Sequence, residues 1–135
     1  MNHHAASWQE AFCSQHRLGQ DYLLHAQKWF DPLAEALAGH QHGASRPLLV
    51  AVNGCQGSGK TTLCAYLCSR LAAQRQLRVL ALSLDDFYLS RAERQALAAD
   101  THPLLGTRGV PGTHDMALLG ATLEGLLVPG APHPV

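Results

Sequence analysis

Residues 48–62 read LLVAVNGCQGSGKTT, and this stretch decides how the rest of the chain is read. Gly54, Gly59, Lys60 and Thr61 satisfy G-x-x-x-x-G-K-[ST], the spacing of a phosphate-binding loop. Such a loop must turn several backbone N–H groups toward one point. Side chains must therefore be absent where backbone and phosphate come close, and Gly54, Gly57 and Gly59 meet that need. Lys60 supplies a mobile cation for the β- and γ-phosphates, and the Thr61 hydroxyl is the expected Mg²⁺ ligand. A helix beginning here aims its positive dipole end at the same anion.

The flanks agree with the motif. Leu48–Val52 is a short apolar run after Pro47, which predicts a buried parallel strand. Beyond Thr62, Leu63, Leu67 and Leu71 recur at helical spacing with no Pro or Gly between them. Further on, Val79–Leu84 is almost continuously apolar and ends in Asp85 and Asp86. That predicts a second parallel strand delivering two acids at its carboxyl end, where open α/β sheets place ligands. The expected fold is therefore α/β: a three-layer α/β/α arrangement with a parallel sheet, of which only the N-terminal portion is present. It is preceded by N-terminal helices. Residues 1–46 form the expected helical segment and 47–135 an incomplete kinase-type core.

The N-terminal segment carries Trp8, Phe12, Leu18, Tyr22, Leu23, Trp29 and Phe30 in a helical pattern broken near Gly19. Asp31-Pro32 reads as a new helix start, with Asp as N-cap and Pro at N1, ending at Gly39. Ser90 and Glu93 have capping-box spacing and predict a helix over 91–99. Residues 101–115, THPLLGTRGVPGTHD, read as a long binding loop. Thr113 is the expected cap of a final helix through Met116, Leu119 and Leu123. The proline-rich tail, 128–135, predicts no regular structure.

With 135 residues, one domain is expected. Ten basic and ten acidic residues give no net charge, and no basic stripe suggests nucleic acid. No apolar run is long enough for a membrane span, and the N-terminus is not a secretory signal, so a cytoplasmic protein is expected. Oligomeric state is not readable. Four cysteines match no zinc pattern; Cys64 and Cys68 read as small buried apolar residues. Cys55, inside the loop, is either an oxidisable thiol near the nucleotide or a tolerated small side chain. His3-His4 and His40-x-His42 read as loop histidines rather than metal sites.

A phosphoryl-transfer site needs a carboxylate beside the moving group, to accept a hydroxyl proton or to hold Mg²⁺. Asp85 and Asp86 are the candidates, the alternative being that they cap the turn after the strand. In the long loop, Arg108 suits an anionic group, and Asp115 suits either substrate hydroxyls or a helix N-terminus.

Three segments, GCQGSGKTT (54–62), LSLDDFYL (82–89) and HPLLGTRGVPGTHDMALL (102–119), together resemble the D-glycerate 3-kinase-like P-loop kinases. That group is related to the uridine kinase, phosphoribulokinase and pantothenate kinase branch. The resemblance covers roughly residues 47–127. It implies that Gly54, Cys55, Gln56, Gly57, Ser58, Gly59, Lys60, Thr61 and Thr62 hold ATP and Mg²⁺. It makes Asp85 the base or a metal ligand, with Lys60 and Asp86 beside it in catalysis. Asp86 and Tyr88 would line the acceptor site, and Arg108, His114 and Asp115 match the loop on the acceptor side. The implied reaction moves the γ-phosphoryl group of ATP to a hydroxyl of D-glycerate or a similar small polar molecule. Members of the group continue well beyond the point matched by Val135, so a fragment that binds nucleotide without catalysis is the alternative. A GTPase switch is disfavoured by the missing guanine-reading N-K-x-D.

Overall fold

The computed structural model describes the backbone of residues 3–130 and the side chains of residues 8–130. The chain divides between Ala81 and Leu82 into two compact units.

The first unit is helical. Helix α1 spans His3–His16, α2 spans Gln20–His42 and α3 spans Lys60–Arg75. Helix α1 stops because Arg17 takes a left-handed conformation, φ 55°. The Leu18 N–H then reaches Cys13 O at 2.9 Å, and the Arg17 N–H reaches Ser14 O. These are the two bonds of a Schellman ending, and they satisfy carbonyls the helix leaves open. The predicted break near Gly19 is thus made by Arg17, while Gly19 serves as the extended N-cap of α2.

Helices α1 and α2 both pack on α3. Tyr66 of α3 is fully buried, and Trp8, Phe12, Tyr22 and Phe30 surround it with ring centroids 5.4–6.5 Å away. Tilted and edge-on pairs of this kind contribute roughly 0.5–1.5 kcal/mol each beyond their burial. A second cluster, Ala34, Leu67 and Leu71, continues the α2–α3 seam. The expected helix start at Asp31-Pro32 does not occur, since α2 runs through Pro32. An interior proline forfeits one helical hydrogen bond. Here Asp31 is held from outside its own helix: Tyr66 Oη donates to Asp31 Oδ1 at 2.7 Å. Arg70 Nε lies 3.1 Å from the same oxygen, an ion-pair distance without hydrogen-bond alignment. Arg70 also donates to Glu35 at 3.0 Å, and Arg75 bonds that carboxylate too.

The second unit holds α4, Arg91–Asp100, and α5, Met116–Leu126, with 3-10 turns at Leu84–Phe87 and Pro103–Gly106. Helix α4 begins with the predicted capping box. Glu93 N–H donates to Ser90 Oγ at 3.2 Å, and Ser90 N–H donates to Glu93 Oε2 at 2.8 Å. Helix α4 packs on the 103–106 turn, and α5 packs on the 84–87 turn. The cap of α5 is Asp115, accepting from Leu118 N–H at 2.9 Å, not Thr113. Thr113 is instead fully buried, with its hydroxyl on Val110 O at 2.6 Å.

The parallel-sheet, three-layer α/β/α expectation is overturned. Among the described residues there is no β-strand, and the fold is helical, with one isolated antiparallel bridge between Tyr88 and His114. Leu48, Leu49, Val50 and Val52, and likewise Val79, Leu80, Leu82 and Leu84, are exposed. The reason is that a strand is defined by its partners, and one pair of short strands is marginal by itself. Apolar composition marked these segments as strands, but nothing among the described residues pairs with them. No helix among those residues is long and apolar enough to cross a membrane.

Candidate functional site

The loop before α3 curls back on its own lysine. Lys60 Nζ donates to Gly54 O at 2.6 Å and to Cys55 O at 2.9 Å. Ser58 N–H closes a turn on Cys55 O at 3.1 Å. Gly57 and Gly59 have φ of +76° and +90°, a region where a Cβ is strained. Gly54 matters for a different reason: a Cβ there would stand 2.9 Å from Ser58 Oγ and 3.3 Å from Lys60 Cγ, so those two side chains would have to shift. Helix α3 has Gly59 as N-cap and no side-chain capping bond. Its first-turn N–H groups therefore lack the side-chain acceptor most helix starts provide. An ammonium has three N–H donors, and Lys60 spends two on carbonyls. Cys55, Gln56 and Thr61 are exposed, and Thr62 is half-buried. These features fit a triphosphate: closely approached backbone, an open helix start and a cation with a donor to spare. Lys60 and the loop amides would hold the phosphates, and the Thr61 hydroxyl is available to Mg²⁺.

The second unit carries the other candidates. Asp85 and Asp86 lie in the Leu84–Phe87 turn, both exposed. Ser83 performs the capping there, its hydroxyl accepting from Asp85 N–H at 3.2 Å and its carbonyl from Asp86 N–H at 3.1 Å. Neither carboxylate takes part in an ion pair among the described residues, all of which lie in the first unit.

Tyr88, Arg108 and His114 come together. Leu89 N–H donates to Thr113 O at 2.9 Å and Asp115 N–H to Phe87 O at 2.6 Å. These bonds flank Tyr88 and His114, making them a non-hydrogen-bonded antiparallel pair, the type in which side chains approach most closely. Their rings stack with centroids 4.2 Å apart and planes at 24°. The Arg108 guanidinium lies 5.5 Å from the Tyr88 ring centroid, within cation–π range. Asp115 is adjacent in sequence, but its carboxylate caps α5. His102 also serves locally, its Nδ1 accepting from Leu104 N–H at 3.2 Å.

Two buried polar residues of this unit, Arg94 and Thr113, were not singled out as buried by the sequence. For Arg94 the signal was present: it falls on the same helical face as Leu97 and Ala98, a core position by spacing.

Comparison with known proteins places the chain near kinases. It is 42% identical over 81 residues to the Schizosaccharomyces pombe protein named Uncharacterized kinase mug58, a match covering 58% of this chain and 29% of that protein. It is 30% identical over 123 residues to the Saccharomyces cerevisiae protein named Probable ATP-dependent kinase TDA10, covering 83% and 38% respectively. The chain is related to proteins named as kinases. It spans about a third of the length of these curated relatives. No protein-family model matches it, and no solved structure does.

Proposed function

We propose that the chain is the nucleotide-binding part of an ATP-dependent small-molecule kinase, acting on a hydroxyl of D-glycerate or a similar small polar acceptor. The observation that carries this reading is the loop at 54–60, with Lys60 folded onto the Gly54 and Cys55 carbonyls and an uncapped helix start behind it. When bound, MgATP supplies the transferable phosphoryl group. Lys60 and the loop amides bind and orient its phosphates, so their contribution is positioning and charge stabilisation. Thr61 offers its hydroxyl to the metal. Asp85 accepts the acceptor's hydroxyl proton or joins the metal, and its exposed, unpaired carboxylate suits either role. Asp86, Tyr88, Arg108 and His114 are assigned to the acceptor, Arg108 meeting an anionic group such as a carboxylate. For Asp115 the backbone cap competes with that role.

Lys60→Ala should abolish measurable MgATP binding in titration calorimetry, and Asp85→Asn should leave binding intact while removing phosphoryl transfer to D-glycerate. Wild-type-like turnover in either variant would refute the role assigned to that residue. A second reading, nucleotide binding without transfer, is favoured by the exposed apolar segments at 48–52 and 79–84. They mark surface that the described residues leave uncovered. Calorimetric MgATP binding with no product from any acceptor selects it.

A further inference from the structure

We infer that Arg94 is a positioning residue that fixes the register of the Tyr88–His114 pair. Arg94 is only 8% exposed and has no ion pair among the described residues. Its Nη1 donates to Leu89 O, and its Nε finds no partner. Burying a guanidinium without a carboxylate is costly, so a specific structural return is expected where one persists. The return lies one residue away. Leu89 offers its N–H to Thr113 and its C=O to Arg94. The pairing of 87–89 with 113–115 has only two backbone bonds. A ladder that short is weakly specified, and a slip of one residue sends every side chain to the opposite face. His114 would then leave the Tyr88 ring, and Arg108, which lies over that ring, would lose its neighbour. Arg94 opposes the slip by occupying the Leu89 carbonyl, the acceptor that a shifted amide of 113–115 would otherwise take. Its own place is set by the helix start, where Arg94 N–H makes the first helical bond, to Ser90 O at 3.0 Å.

The effect on catalysis rests on the kinase reading above; the effect on geometry does not. The test is therefore read twice in the full 135-residue chain. Proton NMR of the His114 ring, assigned by its loss in His114→Asn, should show an upfield ring-current displacement from Tyr88. Arg94→Met should abolish that displacement while α4 and α5 signals persist. Arg94→Lys, which keeps a cationic donor for the same carbonyl, should restore it. An unchanged His114 signal in Arg94→Met overturns the inference. So does collapse of all second-unit signals, which makes Arg94 a general fold residue, or a folded Arg94→Lys with an undisplaced His114. In phosphoryl-transfer assays, Arg94→Met should raise KM for D-glycerate about tenfold, with KM for MgATP unchanged, as expected for a misplaced acceptor site. If the wild-type chain transfers nothing to glycerate, the acceptor assignment fails while the NMR result still decides the role of Arg94.

Discussion

The two units are held together by different means. In the first, five aromatic rings and a seam of Leu and Ala join three helices, and the polar groups of Asp31, Glu35, Arg70 and Arg75 lock the seam from outside. In the second, Phe87 is the one buried apolar side chain among the described residues, and the other buried side chains are those of Arg94 and Thr113. There, named hydrogen bonds take the place of a packed core. The contrast teaches where precision and bulk stability are separately kept. Packed rings tolerate small displacements, whereas a two-bond pairing either has its register or does not.

The largest expected break in that contrast is Tyr66→Ala. It removes the centre of the aromatic cluster and should destabilise the first unit by roughly 3–5 kcal/mol, as large-to-small aromatic changes in cores do. Urea denaturation followed by helical circular dichroism measures it, and the His114 resonances should not move. An equal loss in the second unit would show that the two units do not differ in what holds them.

Next comes alkaline pH. Burial, then the hydrogen bond to Asp31, raise the Tyr66 hydroxyl above its ordinary pKa. The folded state thus favours the protonated phenol. Its contribution is complete below the unfolded value of about 10 and is lost as pH rises from there toward the folded value. The first unit should weaken by at most about 1.4 kcal/mol per pH unit above about 10. Tyr66→Phe should remove that dependence, and a slope persisting in Tyr66→Phe would assign it elsewhere.

The smallest effect sharpens the second unit. Asp115→Ala should cost about 1 kcal/mol of its stability, and Asp115→Asn almost nothing, because both Asp and Asn cap well. If Asp115→Asn keeps stability but raises the acceptor KM, the carboxylate serves the substrate as well as α5.

What the sequence disclosed follows the range of the forces involved. Capping at Ser90 and Glu93 is settled within four residues, and both bonds are present. The left-handed backbone at Gly57 and Gly59, and the tight approach at Gly54, follow from local sterics, and the glycines announced them. Asp31-Pro32 misled because its environment comes from Tyr66 and Arg70, more than thirty positions away. Thr113 read as a cap because a hydroxyl before a helix usually is one, yet Asp115, two residues on, takes that place. The apolar runs at 48–52 and 79–84 misled most, since hydrophobicity declares that a segment wants cover without saying what provides it. For the site, the sequence placed Arg108 and His114 in one long loop and joined Tyr88 to them only by resemblance. The cross-strand pairing supplies the physical reason two of them touch.

Those uncovered runs bear on how the protein behaves in a tube. Leu49 and Val50 are 57% and 46% exposed, so adjacent residues both offer apolar surface to water. With ten cations balancing ten anions, charge repulsion is weakest near neutrality, where the isoelectric point of about 7.1 lies. Colloidal clumping at bench concentrations should therefore peak close to pH 7 and ease in buffers well to either side.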